Sequence, residues 1–235
     1  MESIEQICES NNSPSWIQIL KGNNLYLSQN NIHYDVAFGH KRYSMIGLKT
    51  LDIPFNVAQS EQIKQNVLKE DKLLLNQALQ YIENDTVMND GEKLTILKNT
   101  RKPIYKYNSD RNIIAIYNES KDITSNYSPM YLYTQYLNSY KSADEATILF
   151  LKYFGAYNFF NAIPHYKDLM AMILRANAGM NCEYLANHCN ISLAAFKSRL
   201  ARLKECLYSK YQDKDSIHVL YVMFNHALNQ PIDIM

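Results

Sequence analysis

Apolar residues in the first half of the chain recur mostly at every second position, and in the second half at every third or fourth. The alternation begins at Trp16, where "WIQIL" is followed by Lys21-Gly22-Asn23-Asn24 and then by "LYLSQ". Gly and Asn accept the positive φ of a hairpin turn, so this stretch predicts two antiparallel strands. A mixed stretch leads to "AFGHKRYSMIGLKTLDIPF", in which Pro54 breaks the chain. "VAQSEQIKQNVLKEDKLLL" then predicts an amphipathic helix with Ile63, Val67 and Leu74 on one face. Three β-rich runs follow, separated by Asn89-Asp90-Gly91 and Asn108-Ser109-Asp110, which predicts two hairpins in series.

Beyond Thr124 the period becomes helical. Met130, Tyr133, Leu137 and Tyr140 form a seam of little more than one heptad, which suits either core packing or a helix that transmits a dimer rearrangement. Ser142 to Glu145 is a capping box, and Gly155 suits the end of the helix it opens. Pro164 fits the first turn of a helix carrying Leu169, Met172, Ile173 and Ala176 on one face, with Gly179 as its C-cap. Asn181 can cap a short helix, Asn190 fits a tight turn, and Ser192 can cap a helix from Leu193 to about Leu207. The core face of that helix is Phe196, Leu200, Leu203 and Leu207. Its outer face is Ala194, Ser198, Ala201, Arg202 and Glu205, with Lys197 and Lys204 along one side and Arg199 at the other edge. A last helix, "DSIHVLYVMFNHAL", aligns Ile217, Leu220, Phe224 and Leu228. Val219, Val222 and Met223 are left over. That surplus suggests a dimer contact, which a charge at Phe224 is expected to weaken.

The sequence therefore predicts an α+β chain: an antiparallel five-stranded sheet with flanking helices, then an all-α helix-turn-helix domain. Charge sharpens the second part only locally. The chain of 235 residues has a formal net charge of +1, too little for a global nucleic-acid footprint. From Ser192 to Gln212, however, there are five basic residues and one acidic residue. Small Ala194, Ser198 and Ala201 let a helix backbone approach base edges, and flanking cations neutralise phosphates. No apolar run approaches the length of a membrane span, and the acidic N-terminus lacks a signal-peptide core. Cys8, Cys182, Cys189 and Cys206 do not form a secreted disulfide pattern, so a reducing, cytoplasmic setting is expected.

Element order and joint residues in the first half resemble a PAS domain, over about Ser13 to Thr124. The matching residues are "GLKTLDIP" with Gly47, Asp52 and Pro54, Asp71 late in the helix, and Glu83 on the next strand. Asp90-Gly91, Lys102-Pro103 and the closing "KDIT" complete the set, with Arg111-Asn112 departing where glycine is usual. The resemblance implies a sensor and dimerisation module, placed at 12–124, rather than an enzyme. The segment from Ile163 to Gln230 resembles the helix-turn-helix of LuxR-type regulators. Ala186 lies between the helices and Lys197 matches the family's DNA-contacting lysine. Arg199 replaces a histidine, Ala195-Phe196 replaces Thr-Val, and Tyr184 replaces a glutamate. The resemblance implies a DNA-binding domain at 163–235, joined to the sensor by helices at 125–162. Its contacts with double-stranded DNA would come from Ser192, Ala194, Lys197, Ser198, Arg199, Ala201, Arg202 and Lys204, in a homodimer with no membrane association. A protein-interaction adaptor of the same fold, whose helix-turn-helix no longer binds DNA, is the alternative.

Other chemistry finds little support. Cys182, His188 and Cys189 lack a fourth ligand nearby for structural zinc. No P-loop, nucleophile elbow or dinucleotide fingerprint occurs. Flavin photochemistry of the LOV type needs a cysteine beside the ring, and none lies between Cys8 and Cys182. Haem needs an axial ligand, and the helix from Val57 to Leu75 has no histidine, which leaves only His33 and His40 as candidates. A small apolar or amphipathic ligand on the concave face of the sheet, or none, stays open. The purified protein should accordingly show neither a Soret band nor a flavin doublet in its absorption spectrum.

Overall fold

The computed structural model describes residues 15–30, 45–53, 60–89, 91–108, 112–178 and 181–225. His33, His40, Pro54, Asp90, Gly179 and Leu228 lie outside these residues, and so do the expectations attached to them. The chain divides into two compact units, Met1–Ile123 and Thr124–Met235.

The first unit contains β1 (Ser15–Lys21), β2 (Asn24–Asn30), helix α1 (Ser60–Leu75), β3 (Ile82–Asn89), β4 (Leu94–Tyr105) and β5 (Ile113–Asp122). All pairings are antiparallel, and the sheet order is β2-β1-β5-β4-β3. The turns follow local chemistry. Lys21 pairs with Asn24 across Gly22, which sits at φ +64°. Asn89 pairs with Leu94, and its Oδ1 accepts from the Gly91 N–H at 2.8 Å. Gly91 is at φ +98°, a region closed to most side chains. The pairing of β1 with β5, from Ser15↔Glu119 to Ile19↔Ala115, joins the two ends of the unit. No local period encodes it. With α1 beside the sheet, this is the PAS arrangement.

Two side chains of α1 anchor it. Ile63 packs on Leu27, Met45, Ile53, Met88 and Leu97, while Leu74 is buried with Leu25 and Ile116. Burial of such side chains contributes roughly 1.5–3 kcal/mol each. Val67, the third residue of the predicted face, is half-buried and borders a cavity described below.

The second unit is helical: α2 (Pro129–Ser139), α3 (Ala143–Tyr153), α4 (Tyr166–Ala178), α5 (Cys182–His188), α6 (Leu193–Glu205) and α7 (Lys214–Asn225). Ser128 caps α2 and Ser142 caps α3, each accepting a backbone N–H at 3.1 Å, the second from Glu145 as the capping box predicts. Gly155, at φ +68°, ends α3. Its N–H donates to the Lys152 carbonyl and that of Ala156 to the Leu151 carbonyl.

Two expectations are corrected here. The buried face of α2 is Pro129, Leu132, Tyr133 and Tyr136, whereas Met130, Leu137 and Tyr140 of the expected seam are only half-buried. The reason is a core contact with α3. The Thr147 hydroxyl gives its proton to the Ala143 carbonyl at 2.7 Å, so the buried Tyr133 hydroxyl donates to Thr147 Oγ1 at 2.6 Å. Burial holds the Tyr133 hydroxyl above its ordinary pKa. Phe150 packs between Tyr133 and Phe224, with ring centroids at 4.6 and 5.9 Å. The helices read as a linker at 125–162 thus pack inside the second unit.

Phe224 is the second correction. It is fully buried and also meets Phe154 edge-on, so it belongs to the core of its own chain rather than to a dimer face. On α7 the exposed apolar residue is Val219. Phe224→Ala should therefore lower the unfolding free energy of this unit by about 3–5 kcal/mol, read from the midpoint of urea denaturation followed by circular dichroism.

Candidate nucleic-acid interface and sensor cavity

The sequence from Asn181 to Lys204 folds as two helices at a tight turn, each started by a side-chain cap. Asn181 Oδ1 accepts from the Tyr184 N–H at 2.8 Å, and Ser192 Oγ from the Ala195 N–H at 3.1 Å. Asn190 makes the turn in the left-handed region, at φ +53°, where Asn is tolerated. The Ile191 N–H closes it onto the Ala186 carbonyl at 3.0 Å. Ala171, Leu185, Ala186 and Phe196 form the core that fixes α4, α5 and α6, with Cys182, Cys189 and Leu200 around it. Ala186 is small because a bulkier side chain here would push the helices apart.

This packing leaves Ser192, Ala194, Lys197, Ser198, Ala201, Arg202 and Lys204 exposed, with Arg199 half-buried. Glu205 is exposed at the C-terminal end of the same helix. Two features were not visible in the helical projection. Tyr184 on α5 is 51% exposed, a large aromatic beside a basic helix. Arg202 is not a free cation. Its Nη2 donates to Asp168 Oδ1 at 2.6 Å, its Nε to Asp168 Oδ2 at 3.0 Å and its Nη1 to Ser198 Oγ at 2.9 Å. Asp168 on α4 is buried, so the guanidinium satisfies a carboxylate that water does not reach. Periodicity places Arg202 outward correctly, but it carries no record of an acid 34 residues earlier reaching it.

The half-buried cysteines behave as packing residues. Burial raises the Cys189 thiol pKa, and Arg199 nearby offsets this only in part. Among the described residues no group of three or more His, Cys, Asp or Glu is arranged to hold a metal ion.

In the first unit, polar residues gather under α1. Arg101 of β4 is buried and bonds in four directions: to Asn118 on β5 (2.7 Å), Gln18 on β1 (2.8 Å), and on α1 to Glu70 (3.0 Å) and Asp71. It also donates to the Val67 carbonyl at 3.1 Å. Burial holds the Asp71 carboxyl above its ordinary pKa against the pull of Arg101. A second chain of bonds crosses three strands. Ser120 Oγ donates to Asn99 Oδ1 (2.6 Å), and the Asn99 amide donates to Asn84 Oδ1 (3.2 Å) and Thr86 Oγ1 (2.9 Å). The Asn84 amide donates in turn to Glu70. Asn84, Asn99 and Ser120 are direct register partners, so the ladder geometry brings them together.

Between α1 and this polar floor lies a cavity of about 200 Å³. Trp16, Ile63, Val67, Met88 and Leu97 line one part, and Glu70, Asn84, Asn99 and Arg101 another. The sequence pointed to Asp71 through the family resemblance but to none of its partners. The available signal was a set of inward polar residues on strands whose other inward positions are apolar.

No family model matches the chain, and no curated protein does. Among solved structures, the Vibrio cholera VqmA–ligand–DNA complex is 13% identical, with a TM-score of 0.49 over 94% of this chain and 86% of that one. The phage VqmA–DPO complex is 11% identical, with a TM-score of 0.46 over 96% and 87%. A PAS domain from Colwellia psychrerythraea is 13% identical, with a TM-score of 0.38 over 51% of this chain and 92% of that one. Values this low say nothing of what this chain binds.

Removing Arg202 leaves the Asp168 carboxylate buried and unpaired. Arg202→Ala should lower the thermal midpoint of the second unit well below that of Lys197→Ala. The Asp168→Ala/Arg202→Ala double variant should fall no further than Arg202→Ala alone, because the two losses are one interaction. Circular dichroism melts of the four proteins measure it.

Proposed function

We propose that the chain is a cytoplasmic transcription regulator. In this reading, a PAS sensor at 12–124 binds a small molecule and controls a LuxR-like helix-turn-helix at 163–235, with the helices of 125–162 between them. The protein acts as a homodimer on double-stranded DNA. Ligand changes the dimer geometry and so the spacing of two α6 helices on a pseudo-palindromic site. The observation that carries this is the outer face of α6, where exposed Ala194, Ser198 and Ala201 run beside exposed Lys197 and Lys204. Small side chains admit close approach to base edges, and lysines at the flanks meet phosphates. Ser192 and Arg199 complete the surface. Arg202 takes a bracing role through Asp168 and keeps part of its guanidinium exposed toward the same face.

An adaptor that docks protein instead of DNA is favoured by two observations: the Arg202 charge is already matched, and exposed Tyr184 offers an aromatic anchor. Fluorescence-anisotropy titration of a duplex selected from a random pool, at several salt concentrations, separates the two. Phosphate contacts release counterions, so Lys197→Ala should weaken all sequences alike and flatten the log–log salt slope by about one per bound subunit. Ala201→Glu should abolish binding while the fold is kept, because it places an anion where the helix comes closest. Wild-type affinity in Ala201→Glu would replace the regulator with the adaptor.

A further inference from the structure

Resting on the reading of the sensor cavity as a ligand site, we infer that its ligand is a small organic cation, an amine or amidine on a single ring, and that carboxylates are excluded. A guanidinium has five N–H donors. In Arg101 all five are committed to protein acceptors: Nε to Asn118, Nη1 to the Val67 carbonyl and Glu70, Nη2 to Gln18 and Asp71. The base that lines the cavity therefore has no N–H left for an anionic ligand. Its charge is also over-matched, because two carboxylates, Glu70 and Asp71, face one guanidinium, and Asp71 Oδ2 has no hydrogen-bond partner.

The neutral groups lean the same way. Both amide hydrogens of Asn99 are spent on Asn84 and Thr86. What remains for a ligand is the spare lone pairs of Glu70 and Asn84, against three neutral donors: the second Asn84 amide hydrogen, the Thr86 hydroxyl and the amide of Asn66, whose Oδ1 already accepts from Gln62. Asp85 adds a further carboxylate to the lining. The apolar part includes Trp16, and an indole face attracts cations within about 6 Å. A volume of about 200 Å³ is below the roughly 300–1,000 Å³ of drug-sized sites, which restricts the ligand to about one substituted ring.

Trp16 is the only tryptophan of the chain, so its emission reports on the cavity directly. The full-length protein is titrated with benzamidine, benzamide and benzoate, which share a ring and differ in charge. Benzamidine should shift the emission saturably and bind at least about tenfold tighter than benzamide, the equivalent of one charge-assisted hydrogen bond. Benzoate should leave the emission unchanged. Glu70→Gln, checked for folding by circular dichroism, should remove the preference for benzamidine over benzamide. The wild-type series decides the matter even if this variant does not fold. Benzoate binding as tightly as benzamidine overturns the cation assignment and leaves the ligand cavity standing. Saturation by none of the three, neutral benzamide included, overturns both.

Discussion

Burying a guanidinium obliges the surrounding chain to supply acceptors in fixed directions, and Arg101 draws them from three segments. Gln18 comes from β1, Asn118 from β5, and Glu70, Asp71 and the Val67 carbonyl from α1, while Arg101 itself belongs to β4. An unmatched buried charge costs several kcal/mol, so any slip in strand register or any shift of α1 carries a penalty well beyond lost van der Waals contact. Asn118 pairs directly with Arg101 in the β4–β5 register, and it also bonds Gln18 across the β1–β5 junction. The closure of the sheet and the seating of the helix are thus specified by one polar cluster, with the apolar clusters around Ile63 and Leu74 contributing most of the burial.

The helical unit uses the same device on a smaller scale. Its interior is aromatic, with Phe150 in contact with Tyr133, Tyr136, Phe154 and Phe224. Such a core holds the helices together through tilted, stacked and edge-to-face ring contacts. The Asp168–Arg202 pair ties α4 to α6 through two hydrogen bonds in a fork geometry that fixes direction. The orientation of the α6 outer face therefore depends on an ion pair as well as on Phe196 and Leu203 beneath it. A surface residue of α6 has become part of its mounting.

Much of the architecture was legible in the chain alone, for reasons that are local. Strands and helices follow periods of two and 3.6. Their ends follow Ser128, Ser142, Asn181 and Ser192, whose side chains satisfy the first free N–H groups wherever they stand. Gly22, Gly91, Gly155 and Asn190 mark turns because few other residues accept positive φ. The basic, small-residue face of α6 was legible too, since helical projection needs only residues in a row.

Tertiary structure decided the rest. Which face of α2 is buried turned on Tyr133 meeting Thr147 and Phe150 from the next helix. Whether Phe224 faces outward or inward turned on α3. The polar floor of the cavity and the matching of Arg202 join residues from 13 to more than 30 positions apart. Periodicity reports which side of an element is apolar, because that is a property of the element. Which partner a polar side chain meets is a property of two elements brought together, and no single stretch of sequence contains it.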